Sequence, residues 1–255
     1  MLIIIASVFV YVTLGFVYAV LVRRNDIADV MWGPGIAIVS WVSYAQYPTI
    51  TLLILSSLIS LWALRLAYHI GTRFFHKTQE DPRYHMWRSQ WQYFYLRSYA
   101  QVFLLQGALM ILVAMPIIAI SLALSPEAKP QEVFVILGIV VWIIGFVFEA
   151  LGDYQLKVFL QNKKGGMVQG EIMQSGLWRY TRHPNYFGEV TLWWGLWIMT
   201  IGAGAWYGIV GPITITILIL YVSGIPMTEA RYKGNAEFEE YKKRTSAFFP
   251  LPRRS

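Results

Sequence analysis

LIIIASVFVYVTLGFVYAVLVRRND, residues 2–26, runs uncharged through Val22 and then ends in two arginines, an asparagine and an aspartate. A helix rises about 1.5 Å per residue, so about 20 apolar residues cross the roughly 30 Å hydrocarbon core of a bilayer. This stretch reads as a membrane helix with a polar stop. It has no basic n-region and no A-x-A-like cleavage site, so it reads as a retained helix rather than a signal peptide.

Further windows of the same kind fall near 28–46, 49–70, 98–122, 132–152, 187–204 and 207–227. The composition agrees: 56% of residues are hydrophobic and 14% charged, where a soluble domain carries about 25% charged residues. The fold class expected is an all-α polytopic membrane protein with seven transmembrane helices. A single integral membrane domain, 1–255, is expected, with a polar tail at 228–255. The chain has no cysteine, which excludes disulfides, thiolate nucleophiles and Cys-based metal or Fe–S sites. A net charge of +7 in such a chain reflects topology and anionic lipid rather than nucleic acid.

The basic residues sort by loop. Arg23 and Arg24 follow the first window; Arg73, Lys77, Arg83, Arg88 and Arg97 lie in 71–97; Lys157, Lys163, Lys164, Arg179 and Arg182 follow the fifth; and the tail holds Arg231, Lys233, Lys242, Lys243, Arg244, Arg253 and Arg254. The alternate loops hold Lys129 alone. By the positive-inside rule the N-terminus is outside and the C-terminus cytoplasmic. All long polar loops then share one side, where a cytosolic cofactor would meet them. SPEAKP (125–130) reads as an exposed turn, NKKGGMVQG (162–170) as a flexible basic loop, and 76–97 as an interfacial segment mixing aromatics and charges.

Ionisable residues at membrane depth are costly and face a cavity or a partner. Glu149, Asp153 and Lys157 are spaced i, i+4, i+8 on one face of the fifth window. They read either as an interfacial staircase with an Asp153–Lys157 pair or as the polar wall of a cofactor pocket. Arg65 either snorkels to the interface or lines a pocket. Asp29 either caps the second helix or serves the site. Glu229 has Arg231 and Lys233 as its nearest pairing partners in sequence.

SGLWRYTRHPNYFGEVTLWWG (175–195) sets charge at the lip of an apolar segment. Pro184 suits the first turn of a helix, so the sixth helix is expected to start near Arg182–Pro184. Its free N–H groups and positive dipole end form an anion site surrounded by Arg179, Arg182 and His183. Asn185 and Glu189, four apart, share a face in the first turns. An aromatic belt accounts for Trp178, Trp193 and Trp194; it does not account for Asn185 or Glu189 entering the bilayer. The four histidines show no metal-ligand spacing, and Walker, Rossmann and G-x-S-x-G motifs are absent. No metal, nucleic-acid partner or obligate protein partner is expected.

GLWRYTRHPNYFGE, with the tail pattern E-A-R-Y … F-E-E-Y-K-K-R-T-S-A-F-F-P (229–250), resembles the DUF1295 membrane proteins, the bacterial branch of the steroid 5α-reductase superfamily. The resemblance extends through DIADVMWGPG (26–35), W-x-L-R-L (62–66) and E-D-P-R-Y (80–84). It implies a multi-pass protein of the bacterial inner membrane that binds NADPH from the cytoplasm. Its reaction would deliver a hydride to a carbon–carbon double bond of a lipophilic enone, sterol- or prenoid-like. Residue by residue, it implies that Asn185 holds the nicotinamide carboxamide with Glu189 beside it, and that Asp153 contacts the adenosine part. Arg179, Tyr180, Arg182, Arg231, Tyr232 and Tyr241 become candidates for phosphates and ribose, a role in which arginine binds bidentately. On the substrate side, Asp29 matches a second-helix carboxylate. Where the mammalian enzymes place a tyrosine three residues before an arginine aligned with Arg65, this chain has Trp62, which cannot donate a proton to an enolate. Tyr68 is the phenol nearest Arg65.

A competing reading is an S-adenosylmethionine-dependent membrane methyltransferase of the isoprenylcysteine or phospholipid type. Those enzymes also carry R-H-P-x-Y before a helix and a C-terminal glutamate–arginine element, which Glu229 and Arg231 would match. A non-enzymatic lipid-binding scaffold is a third reading. It is disfavoured by the convergence of intramembrane polar residues with charged loops. The partners expected are a lipophilic small molecule and membrane lipid.

Overall fold

The computed structural model describes residues 1–77, 79–123 and 131–254; the turn expected at 125–130 lies outside the described residues. The described chain is helical, with one isolated bridge between Thr181 and Ser246. Five helical stretches are long and apolar enough to cross a membrane: Leu2–Val22, Ile50–His76, Phe94–Val113, Glu132–Lys164 and Trp206–Ala230. The windows expected at 28–46 and 187–204 are also helices, Ile27–Gln46 and Pro184–Ile201. Polar residues lie within both, Asp29, Ser40 and Ser43 in one, Asn185 and Glu189 in the other. The chain divides into two compact units, Met1–Gln131 with Thr200–Gly211, and Glu132–Met199 with Pro212 onward.

In the first unit, α1 (Leu2–Val22), α2 (Ile27–Gln46) and α3 (Ile50–His76) pack in succession. The short link between α2 and α3 makes them antiparallel neighbours. They are pinned by Ser40 Oγ donating to Ser56 Oγ (2.8 Å) and Trp41 Nε1 to Ser60 Oγ (2.8 Å). Thr49 caps α3, its hydroxyl accepting from the Leu52 N–H. A short α4 (Pro82–Gln90) begins with Pro82 at its first turn and Asp81 as its cap. Then come α5 (Phe94–Ser98), a π-helical turn over Tyr99–Leu104, α6 (Leu105–Val113) and α7 (Met115–Ala123).

Several expected boundaries differ. The window ending at 70 belongs to a helix that runs on to His76, and the one ending at 152 to α8 (Glu132–Lys164), twelve residues longer. An apolar window ends where the bilayer would end, whereas a helix ends where its hydrogen bonds do. Gln155, Leu156, Lys157 and their successors form helix readily in water. The window at 98–122 is broken after Val113, because Pro116 has no N–H to continue the ladder.

The second unit contains α8, a 3-10 turn at Gly176–Arg179, α9 (Pro184–Ile201) up to Met199, α10 (Val210–Ile217) from Pro212 on with a π turn at Leu218–Val222, α11 (Ile225–Ala230) and α12 (Ala236–Arg244). The window expected at 207–227 is thus several short pieces, interrupted before Pro226. The seam between α8 and α9 is made by glycines. Gly138, Gly145 and Gly152 recur every seven residues on α8 and face Gly195 and Gly188 on α9. A Cβ on Gly195 would stand 2.6 Å from Trp142 N, and one on Gly138 would stand 2.6 Å from Gly195 O. Only glycine lets the two backbones touch.

Candidate functional site

The seam ends at Gly152, where a Cβ would lie 3.0 Å from Asn185 N. It therefore presses the first turn of α9 against α8 at the level of Glu149 and Asp153, which are only 2% and 7% exposed. There Asn185 Nδ2 donates to Asp153 Oδ1 at 3.1 Å. Asn185 Oδ1 is buried and accepts no hydrogen bond among the described residues. The expected alternative, an Asp153–Lys157 pair, gives way to this contact; Lys157 is exposed. The 3-10 turn is fastened to the same helix: Leu177 N donates to Gln155 Oε1 (2.9 Å) and Trp178 Nε1 to Gly152 O (3.1 Å).

The RHP segment is fastened to the tail. Thr181 and Ser246 form the bridge, Arg182 N donates to Ser246 O (2.8 Å), and Thr181 Oγ1 donates to Phe248 O (2.8 Å). The Tyr241 hydroxyl donates to Trp178 O. Arg182 was expected at a phosphate, but its Nε and Nη1 are engaged within the protein. Nε meets Glu229 Oε1 at 2.9 Å, and Nη1 caps the end of α12 at Thr245 O (2.5 Å) and Lys242 O (3.4 Å). His183 Nε2 lies 3.0 Å from the same Glu229 oxygen, and its ring stacks on Tyr186. Glu229 therefore pairs with Arg182 and His183, forty-seven and forty-six residues away, and not with Arg231 or Lys233. Burial pushes the His183 imidazole below its ordinary 6.5, against the opposing pull of the Glu229 carboxylate.

Of the other residues expected here, Arg179, Tyr180, Arg231 and Tyr232 are exposed, Tyr232 stacking on Phe238. Glu189 is half-buried one turn beyond Asn185 on α9, and Tyr241 is buried. Among the described residues, Arg179 and Arg231 enter no ion pair.

In the first unit the expected pair of Asp29 and Tyr68 is not what the structure brings together. Tyr68 is 67% exposed on α3, and Arg65 is half-buried a turn earlier. Asp29 lies inside the first turn of α2, behind the cap residue Asp26, so it is not the helix cap. It binds Arg83 (Oδ2 to Nη2, 2.8 Å) and accepts from the Tyr84 hydroxyl at 2.8 Å. Tyr84 is 3% exposed. Burial, with the Asp29 charge beside it, holds its phenol well above the ordinary 10.0. Arg83 was read as a basic loop residue and, with Tyr84, as part of E-D-P-R-Y; their partner lies over fifty residues upstream.

Five bilayer-length apolar helices define a multi-pass integral membrane protein. Within that class, residues 15–245 match the family described as protein of unknown function DUF1295, and the chain belongs to it. No curated protein and no solved structure matches the chain.

Proposed function

We propose that this protein is an NADPH-dependent membrane reductase that reduces a carbon–carbon double bond of a lipophilic, steroid- or prenoid-like enone. On this reading the α2 and α9 helices complete seven crossings, with the N-terminus outside and the C-terminus in the cytoplasm of a bacterial inner membrane. The observation that carries it is Asn185. One side of its amide is committed to Asp153, and the other presents a buried acceptor oxygen with no donor. An unmet buried acceptor costs about 1–3 kcal/mol. The N–H of a carboxamide, such as that of nicotinamide, meets it. When bound, NADPH supplies the hydride. Asp153 orients Asn185, the glycine seam fixes both helices, and the exposed Arg179, Arg231 and Lys157 supply charge for phosphates. Arg182 acts in this reading as a strut for the tail, and His183 with Glu229 holds the start of α9.

One observation favours the methyltransferase alternative: the RHP segment and the C-terminal glutamate, the two elements shared with those enzymes, do meet at Glu229. Titration calorimetry of the purified chain with NADPH and with S-adenosylmethionine separates the two. Binding of NADPH alone is expected, and binding of S-adenosylmethionine alone would replace the reductase with the methyltransferase.

A further inference from the structure

At one end of the first unit the charges are sorted by sign. Four carboxylates, Asp26, Asp29, Glu80 and Asp81, all face inward to arginines. Arg24 pairs with Asp26 (2.8 Å), Arg88 with Glu80 (2.9 Å), and Arg83 with both Asp29 (2.8 Å) and Asp81 (2.9 Å). The same contacts tie both ends of the 77–98 segment to the turn after α1. Arg24 Nη1 caps α3 at Phe74 O (2.8 Å) and Lys77 O (2.6 Å), with its guanidinium 3.8 Å over the Phe74 ring. Asn25 N donates to Glu80 Oε1 (2.7 Å), and Asn25 Nδ2 donates to the buried Ser98 Oγ (2.6 Å). Arg88 lies 4.3 Å over Phe94 and reaches Arg23 O.

What remains outside is of one kind. Arg73, Lys77 and Arg97 are exposed and enter no ion pair among the described residues. Beside them in sequence Phe75, Tyr93 and Leu96 are largely exposed. Tyr93 is held at a φ of 56°, a left-handed conformation that is uncommon for a bulky residue. It is the residue that precedes α5, between α4 and α5. Water suits the three cations but not the rings, and a hydrocarbon interior suits the rings but not the cations. The headgroup layer suits both, and only a net negative one answers three cations with no counter-charge of their own.

We infer that this end of the first unit is a docking collar for anionic phospholipid, in which Arg73, Lys77 and Arg97 engage headgroup phosphates while Phe75, Tyr93 and Leu96 sit among the acyl-chain roots. The collar is independent of the reductase reading, since its residues lie in the first unit and bind lipid whatever the second unit does.

The test is native mass spectrometry of the full chain in mild detergent with phosphatidylglycerol and phosphatidylcholine added in equal amounts. Each surface cation is worth roughly a fivefold preference, so with three of them phosphatidylglycerol adducts should dominate by roughly a hundredfold. The triple variant Arg73→Gln/Lys77→Gln/Arg97→Gln should bring the two lipids near parity, while Lys163→Gln/Lys164→Gln should leave the preference intact. If the triple variant does not fold, Lys77→Gln and Arg97→Gln separately should each lower it by roughly fivefold. Free glycerol phosphate should not compete. Equal adducts in the wild type, an undiminished preference in the variants, or displacement by glycerol phosphate would each overturn the collar. So would loss of adducts on dimer formation, which would give the surface to a second copy of the chain.

Discussion

Arg182 shows how a residue's neighbours decide its work. A guanidinium at a helix start reads as an anion receptor, yet here it spans Glu229 and two carbonyls at the end of α12. Removing one partner of a buried pair costs about 3–5 kcal/mol. Arg182→Ala should therefore lower thermal stability by about 3 kcal/mol and expose the tail after α12 to limited proteolysis. Arg179→Ala, at an exposed position, should cost within about 0.5 kcal/mol. A stable Arg182→Ala protein with a protected tail would return this arginine to the ligand.

His183 supplies a pH dependence at the same scale. Its folded-state value lies below 6.5 because burial disfavours the imidazolium, so the unfolded chain takes up the proton more readily. The stability it contributes is present above about 6.5 and is lost as pH falls through the depressed folded value. Thermal unfolding between pH 8 and 5 should show this loss in the wild type. In His183→Gln the slope should flatten; an unchanged slope would mean that another group titrates.

Among the elements, the α8–α9 seam positions the site. Replacing Gly145 with leucine would drive a side chain into the α9 backbone at Gly188 and Leu192. Overpacking costs about 1–3 kcal/mol, and more where backbone is the obstacle. Gly145→Leu should lower the unfolding temperature in detergent, whereas Val140→Leu on the exposed side of α8 should not change it. If Gly145→Leu were as stable as the wild type, the helices would not be in backbone contact.

This is also where legibility in the sequence divides. Among the described residues, apolar windows located each long helix, because a run of about twenty mainly apolar residues suits a membrane-length helix. They misjudged the ends of α3 and α8, where helix continues through polar residues, and the breaks at Pro116 and Pro226. Within the site, Asn185, Asp153 and the start of α9 at Pro184 were legible as local features. The Asn185–Asp153 contact was not, because it depends on two helices meeting through glycines; the seven-residue spacing of Gly138, Gly145 and Gly152 was the signal available. The partners of Glu229 and Asp29 lay dozens of residues away, beyond any argument from local spacing.

For the molecule as a whole, the sorted basic loops argue a single orientation. Reporter fusions after Arg24, within 71–97, within 162–170 and at the C-terminus should all report cytoplasm, and one within 125–130 the opposite side. A C-terminal fusion reporting the outside would overturn both the seven crossings and the shared cofactor face.

The central claim is that a nicotinamide amide completes Asn185. Calorimetric titration of NADPH into the wild type and Asn185→Ala in nanodiscs, with S-adenosylmethionine as the comparison ligand, tests it most directly. The wild type should bind NADPH and not S-adenosylmethionine. Asn185→Ala should weaken NADPH roughly tenfold or more, for the loss of one hydrogen bond to a buried amide, while leaving binding of 2′,5′-ADP, which lacks the nicotinamide, unchanged. Equal NADPH affinity in the two proteins, or tight S-adenosylmethionine with no NADPH, would contradict it.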